Sequence, residues 1–149
     1  MKNLLKEIKR EQKMAEHLFF VSLKYTKSGD VILNLVQKWE KIAELCIDLL
    51  LQKAKKKKEI KSIPTAPKLK ENLVRSLYPE QKEIFDLYVF FRRIPSLEKI
   101  KEHEFRKNVM VRILDDGKEI EINMEKLKKW YQLFDEFVKF CERVNASKK

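Results

Sequence analysis

The run Val31-Ile32-Leu33-Asn34-Leu35-Val36-Gln37-Lys38-Trp39-Glu40-Lys41-Ile42-Ala43-Glu44-Leu45-Cys46-Ile47-Asp48-Leu49-Leu50-Leu51-Gln52-Lys53-Ala54-Lys55-Lys56 contains neither Gly nor Pro. Val31, Leu35, Ile42, Leu45, Leu49 and Gln52 recur along it at helical spacing, and Ile32, Trp39, Cys46 and Leu50 widen the stripe. A helix apolar on most sides needs neighbours all round, which places this one in the middle of a bundle. The expected fold is all-α: an antiparallel bundle of five to six helices in one domain spanning 1–149.

Upstream, residues 3–26 read as an amphipathic helix with Leu4, Ile8, Ala15, Leu18, Ser22 and Tyr25 on its apolar face and Leu5, Met14 and Val21 beside them. Thr26–Asp30 breaks it, with Gly29 permissive and Asp30 the expected N-cap of the next helix. Downstream, Pro64 and Pro67 mark a link, after which Thr65 is the expected cap of a short helix covering Leu69, Leu73 and Leu77. Pro79 ends that helix and opens another, Glu80 to about Arg92, with acids in its first turn and Arg92 and Arg93 in its last. Its Phe85, Phe90 and Phe91 leave it apolar almost all round, so either it is central or a second chain covers it; a homodimer is expected. Ser96 is expected to cap a charged helical segment at 97–107. The period then changes to two on either side of Asp115-Asp116-Gly117, which predicts one small β-hairpin at about 109–122, an appendage on the bundle. Asn123 caps the last helix. The expected core includes Leu18, Leu35, Ile42, Leu45, Leu49, Leu87, Trp130, Phe134, Phe137 and Cys141.

Composition excludes several functions. Of 149 residues, 44% are hydrophobic and 38% charged, which excludes a disordered chain. No apolar run is long enough for a membrane span, and charges interrupt the N-terminus where a secretory signal would be apolar. Cys46 and Cys141 fall on helical stripes and read as reduced thiols, so a cytoplasmic protein is expected. Two Gly cannot write a glycine-rich phosphate loop, and His17, His103 and the two Cys match no metal-binding spacing; no cofactor and no metal are expected.

The net charge of +11 is uneven: residues 53–70 carry eight Lys against the single acid Glu59. Such a field favours polyanions. Lys55, Lys56, Lys57, Lys58 and Lys61, with Arg92, Arg93, Arg106 and Lys107, are the expected nucleic-acid contacts. A helical 97–107 would put Lys99, His103 and Arg106 on one face, and the Pro95 turn would fold Arg92 or Arg93 back towards them. Arg reads phosphate and His moves protons, so His103, Arg106, Arg92 and Arg93 are the candidate catalytic set of a metal-independent ribonuclease. The 15 aromatic residues fall mainly on core stripes, and no exposed stacking platform is expected.

The segment Met14-Ala15-Glu16-His17-Leu18-Phe19-Phe20-Val21-Ser22, the long apolar second helix and the Arg/His element after a third long helix resemble the HEPN domain. The chain is also similar to uncharacterised archaeal proteins that open with an Ala-Glu-His helix and pass through His103-Glu104-Phe105-Arg106-Lys107 into a hairpin. The resemblance implies a helical, commonly dimeric protein, in a family where many members are metal-independent ribonucleases of toxin–antitoxin and defence systems. An antitoxin-like or nucleotidyltransferase-like partner is implied in the same way. The family signature is an Arg followed within a few residues by a His, whereas Arg92 and Arg93 stand ten or more residues before His103, across Pro95. The resemblance therefore implies a non-catalytic member that binds RNA or a protein. The alternatives are the ribonuclease and an interaction subunit with no nucleic-acid role.

Overall fold

The computed structural model describes residues 3–147, and its axis is the helix α3 (Gly29–Lys56). Fourteen of its 28 residues are buried. Over its first half only Asp30, Asn34, Gln37 and Lys41 are exposed. Its N-cap is Ser28 rather than Asp30, because Ser28 has extended backbone whereas Asp30 is already helical; the Ser28 hydroxyl accepts from the Asp30 and Val31 N–H groups at 3.0 and 3.3 Å. Around α3 lie α1 (Leu4–His17), a π turn (Leu18–Ser22) and α2 (Leu23–Thr26), which run on as one rod. The other helices are α4 (Pro67–Leu77), α5 (Lys82–Arg93) and α6 (Met124–Ala146). The strands β1 (Glu98–Glu102), β2 (Met110–Asp115) and β3 (Lys118–Ile122) complete the chain. α3 packs against α1, α4, α5, α6 and β2.

Aromatic rings join the central helices. Trp39 stacks on Phe134 (5.7 Å, 11°) and meets Trp130 edge-on, while Phe91 contacts both Trp130 and Phe134 and Phe85 meets Phe137. Ile84, Phe85, Tyr88 and Phe91 are buried, and Leu87 and Phe90 are half-buried, so α5 is covered within this chain by α3, α4 and α6. Packing against these three helices accounts for the buried aromatic residues of α5. Asn123 caps α6 as expected, accepting from the Lys126 N–H at 2.8 Å. The Cys46 and Cys141 thiols are buried against each other, and burial pushes the Cys46 thiol well above its ordinary value. Among the described residues, no helix is long and apolar enough to cross a membrane.

The structure is mostly helical, with four departures from the expected plan. First, 97–107 is not a helix. Helix propensity, though favourable for Glu and Lys, is outweighed by tertiary context, and β2 offers an edge that residues 98–102 satisfy as β1, in the antiparallel order β1-β2-β3. Period two puts Lys99 and Lys101 on one side of β1. Lys99 Nζ donates to the Ile94 and Leu97 carbonyls (2.9 and 2.8 Å), and Lys101 Nζ reaches Asp30 at 2.5 Å. Second, the hairpin is therefore two strands of a three-stranded sheet. Asp116 and Gly117 form its two-residue turn with φ of 52° and 85°, the positive pair that a type I′ turn needs. Val109, Val111, Ile113 and Ile122 belong to the core, so the sheet is no appendage.

Third, the buried stripe of the first rod is Leu4, Ile8, Glu11, Ala15, Phe19 and Leu23. Leu18 is half-buried and Tyr25 is 78% exposed. The π turn adds a residue to one turn and advances the phase, which turns Phe20, Val21 and Tyr25 outward. Eight of the ten expected core residues are buried, and Leu18 and Leu87 are half-buried. Fourth, α4 begins at Pro67 after Ala66 with no side-chain cap from Thr65, and it buries Val74 and Glu71 while Leu69 stays outside. Glu71 is held by Arg75 at 2.7 Å.

Tyr88 generates a pH test. Burial first, and then the Glu44 carboxylate, push its hydroxyl up to about 12 from the ordinary 10, against the opposing pull of Arg92. The unfolded chain ionises this tyrosine first as pH rises. Its contribution is therefore complete below pH 10 and is lost as pH rises towards 12. The loss is roughly 2–3 kcal/mol, from about 1.4 kcal/mol per pH unit. Denaturant unfolding across this range should show a shallower alkaline decline for Tyr88→Phe than for the wild type; parallel declines would contradict the assignment.

Candidate nucleic-acid interface

The basic residues singled out in the sequence fall into separate places. Lys55, Lys56, Lys58 and Lys61 are exposed at the C-terminal end of α3, and Lys57 Nζ lies 3.4 Å from the Ser147 hydroxyl at the end of α6. His103, Arg106 and Lys107 lie in the β1–β2 loop at the opposite end. There the Glu104 carboxylate accepts from the Gly29 N–H at 2.6 Å, and the Phe105 N–H donates to the Lys27 carbonyl at 2.8 Å. At 1.5 Å per residue, the 28 residues of α3 separate the two segments by about 42 Å. They do not form one surface.

Nor do the four candidate catalytic residues converge. Arg92 lies over the Tyr88 ring, 5.5 Å from its centroid, and its charge acts on Glu40. Burial first, then Glu44, raise the Glu40 carboxyl, with Arg92 opposing. Arg93 grips Asp115 with two hydrogen bonds of 2.9 and 2.6 Å, tying the end of α5 to the hairpin turn. His103 follows Glu102, whose strand partner is Met110, at the far end of β2 from Asp115. That is about 17 Å of strand. Only Arg106 stays near His103, its N–H donating to the His103 carbonyl at 3.1 Å; both side chains are exposed. The left-handed backbone of His103 (φ 55°) and Phe105 (φ 67°) turns the chain where a helix was expected. The sheet's outer face is organised instead by Arg112, which bonds Glu102 at 2.9 Å, Glu119 at 2.9 Å and Glu121 at 3.0 Å. The Arg112 hydrogen bonds hold the Glu102 carboxyl below its ordinary value.

A different group of residues forms a concave site. A pocket of about 480 Å³ opens between the π turn, α2, the β1–β2 loop and α6. Its apolar lining is Phe19, Phe20, Leu23, Met124 and Tyr131, and Lys24, Lys27, Lys107 and Lys128 surround it. Among the described residues that line it there is no carboxylate. Tyr131 stacks on Phe19 (5.6 Å, 25°) and meets Phe20 edge-on at 5.1 Å. Phe19 is buried, whereas Phe20 is 53% exposed, so one ring anchors the group and another is open to a ligand. Burial first, then Glu16 and Asp135, hold the Tyr131 hydroxyl above its ordinary value. The open aromatic surface corrects the expectation that no exposed stacking platform would be present. Phe105, 70% exposed, and Tyr25 add further rings at this end.

Of this site, sequence reasoning singled out only Lys107. The missed signal was Leu18-Phe19-Phe20-Val21: four consecutive large apolar residues cannot all face inward from one helix. The expected stripe also continued through Ser22 and Tyr25 although Phe19 and Leu23 were the more apolar choice. Comparison of the chain with protein-family models, with curated proteins and with solved structures finds no match. The site is therefore read from its own geometry.

The loop carrying Lys107 is latched to the start of α3 by Glu104. Glu104→Ala should raise amide exchange at Gly29 and Phe105 by about tenfold or more, because a hydrogen bond to a charged acceptor is lost at the junction. Unchanged protection at both amides would show that the latch does not hold the loop.

Proposed function

We propose that the protein is a non-catalytic, HEPN-like module that binds single-stranded RNA, with unpaired bases stacking in the Phe19–Phe20–Tyr131 pocket and phosphates meeting the surrounding lysines. The observation that carries this reading is the pairing of an open aromatic ring with four lysines and no carboxylate in one concavity. A base presents a π-face and an adjacent negative charge, and an aromatic floor beneath a cationic rim complements both. A duplex keeps its bases stacked inside, so the pocket suits a single strand. The non-catalytic part is supported by the separation of Arg93 from His103 and by the engagement of Arg92 with Tyr88 and Glu40. Transfer of a 2′-hydroxyl proton with phosphate stabilisation needs several groups within about 3 Å of the reacting atoms.

Fluorescence anisotropy with a labelled oligouridylate tests the proposal. Phe20→Ala should weaken binding by about 1–3 kcal/mol, the usual worth of one stacked base. Combined Lys24→Gln and Lys128→Gln should flatten the salt dependence, by roughly 0.7 per lost phosphate contact. The RNA should remain intact in the presence of a chelator. Wild-type affinity in Phe20→Ala, or chelator-resistant cleavage abolished by His103→Ala, would overturn the corresponding part.

A further inference from the structure

The outer face of α1 carries Lys6, Arg10, Lys13 and His17 at spacings of four, three and four, which lines one side of a helix. All four are exposed, and they lie opposite Leu4, Ile8, Glu11 and Ala15, which are buried against the bundle. Among the described residues, no ion pair neutralises Lys6, Arg10 or Lys13. Elsewhere the cations are commonly paired: Lys9 with Glu142, Lys38 with Glu11, Lys82 with Asp86 and Lys139 with Asp135. Lys6, Lys9, Arg10 and Lys13 also line one depression, which among the described residues holds one acid, Glu7. Lys6, Arg10 and Lys13 thus line the outer face with unpaired cations over two turns, and the rod continues into the π turn that forms a wall of the aromatic pocket. From Lys6 to Phe20 the rise is about 21 Å.

Resting on the proposed RNA-binding pocket, we infer that a single strand seated there continues along the outer face of α1, with its phosphates on Lys13, Arg10 and Lys6. A row of cations leading from an aromatic platform is the arrangement by which sequence-tolerant single-strand binders track a backbone. An anionic membrane fits less well. A helix lying in a bilayer interface needs a free apolar face, and that of α1 is buried in the protein. Phe20 lies in the wall of a concave pocket, with its ring against Tyr131.

The test compares a labelled tetranucleotide and a labelled dodecanucleotide of uridylate on the full chain, by anisotropy over a range of salt. The wild type should bind the longer strand about tenfold or more tightly, because only it reaches both pocket and track. Joint Lys6→Gln, Arg10→Gln and Lys13→Gln should abolish that advantage, lower the salt slope for the dodecanucleotide by roughly 2, and leave the tetranucleotide within about twofold of wild type. Joint Lys55→Gln, Lys58→Gln and Lys61→Gln, which removes the same charge from exposed positions that do not line the α1 depression and spares Lys56, which sits beside Asn3–Leu5, should leave the length advantage intact. Equal losses in the two triple variants would overturn the track in favour of a net-charge effect. So would equal affinity of the wild type for both lengths. Loss of tetranucleotide binding in Phe20→Ala with the length advantage unaffected by the α1 variant would overturn the track while sparing the pocket. If the wild type bound neither strand but bound phosphatidylserine vesicles through these three residues, pocket and track would both fall.

Discussion

A 28-residue helix with fourteen buried positions cannot stand in water alone, and covering α3 dictates where nearly everything else goes. Each large apolar side chain removed from water contributes about 1.5–3 kcal/mol, so every face of α3 that carries one recruits a neighbour. α1 takes one side, α4, α5 and α6 take others, and β2 closes the remainder. The same requirement explains the aromatic seam around Trp39 and the central position of α5. It also fixes distances between charges. With the Lys-rich tract on one end of α3 and the Glu104–Gly29 junction at the other, the two basic segments end up about 42 Å apart.

The second constraint is local. The first rod must keep apolar residues against α3 and α6 over more than five turns, and its sequence supplies Phe19 and Leu23 where a uniform helix would supply Leu18 and Ser22. One π turn resolves the mismatch. It buries Phe19, leaves Phe20 half-open beside Tyr131, and brings Lys24 to the lining of the same concavity. Insertions of this kind persist where the altered phase has a use, since they weaken helical hydrogen bonding.

Much of the fold was legible because it depends on periodicity. The uninterrupted stripe of residues 31–56, the punctuation by Pro67 and Pro79, the Asn123 cap and the Asp116-Gly117 turn each have a local physical cause, and the structure contains all of them. β1 was not legible. Residues 98–102 have helix-favouring composition, and only the unpaired edge of β2, set by long-range packing, makes them a strand. The site was legible in part for the same reason. Charge can be counted along a chain, so the Lys tract and Lys107 were found. Phe19, Phe20, Lys24, Lys27, Lys128 and Tyr131 belong to two distant segments that meet only after α6 packs beside the first rod. Arg93 shows the converse: a promising cation in the sequence is held by Asp115 across the fold.

The most direct test of the pocket as the seat of binding is chemical-shift mapping of the isotopically labelled protein titrated with a short oligouridylate. Perturbations should concentrate at residues 19–27, at Lys107 and at 124–132, with residues 55–61 unaffected. Perturbations centred on 55–61, or confined to His103 and Arg106, would contradict the pocket's role.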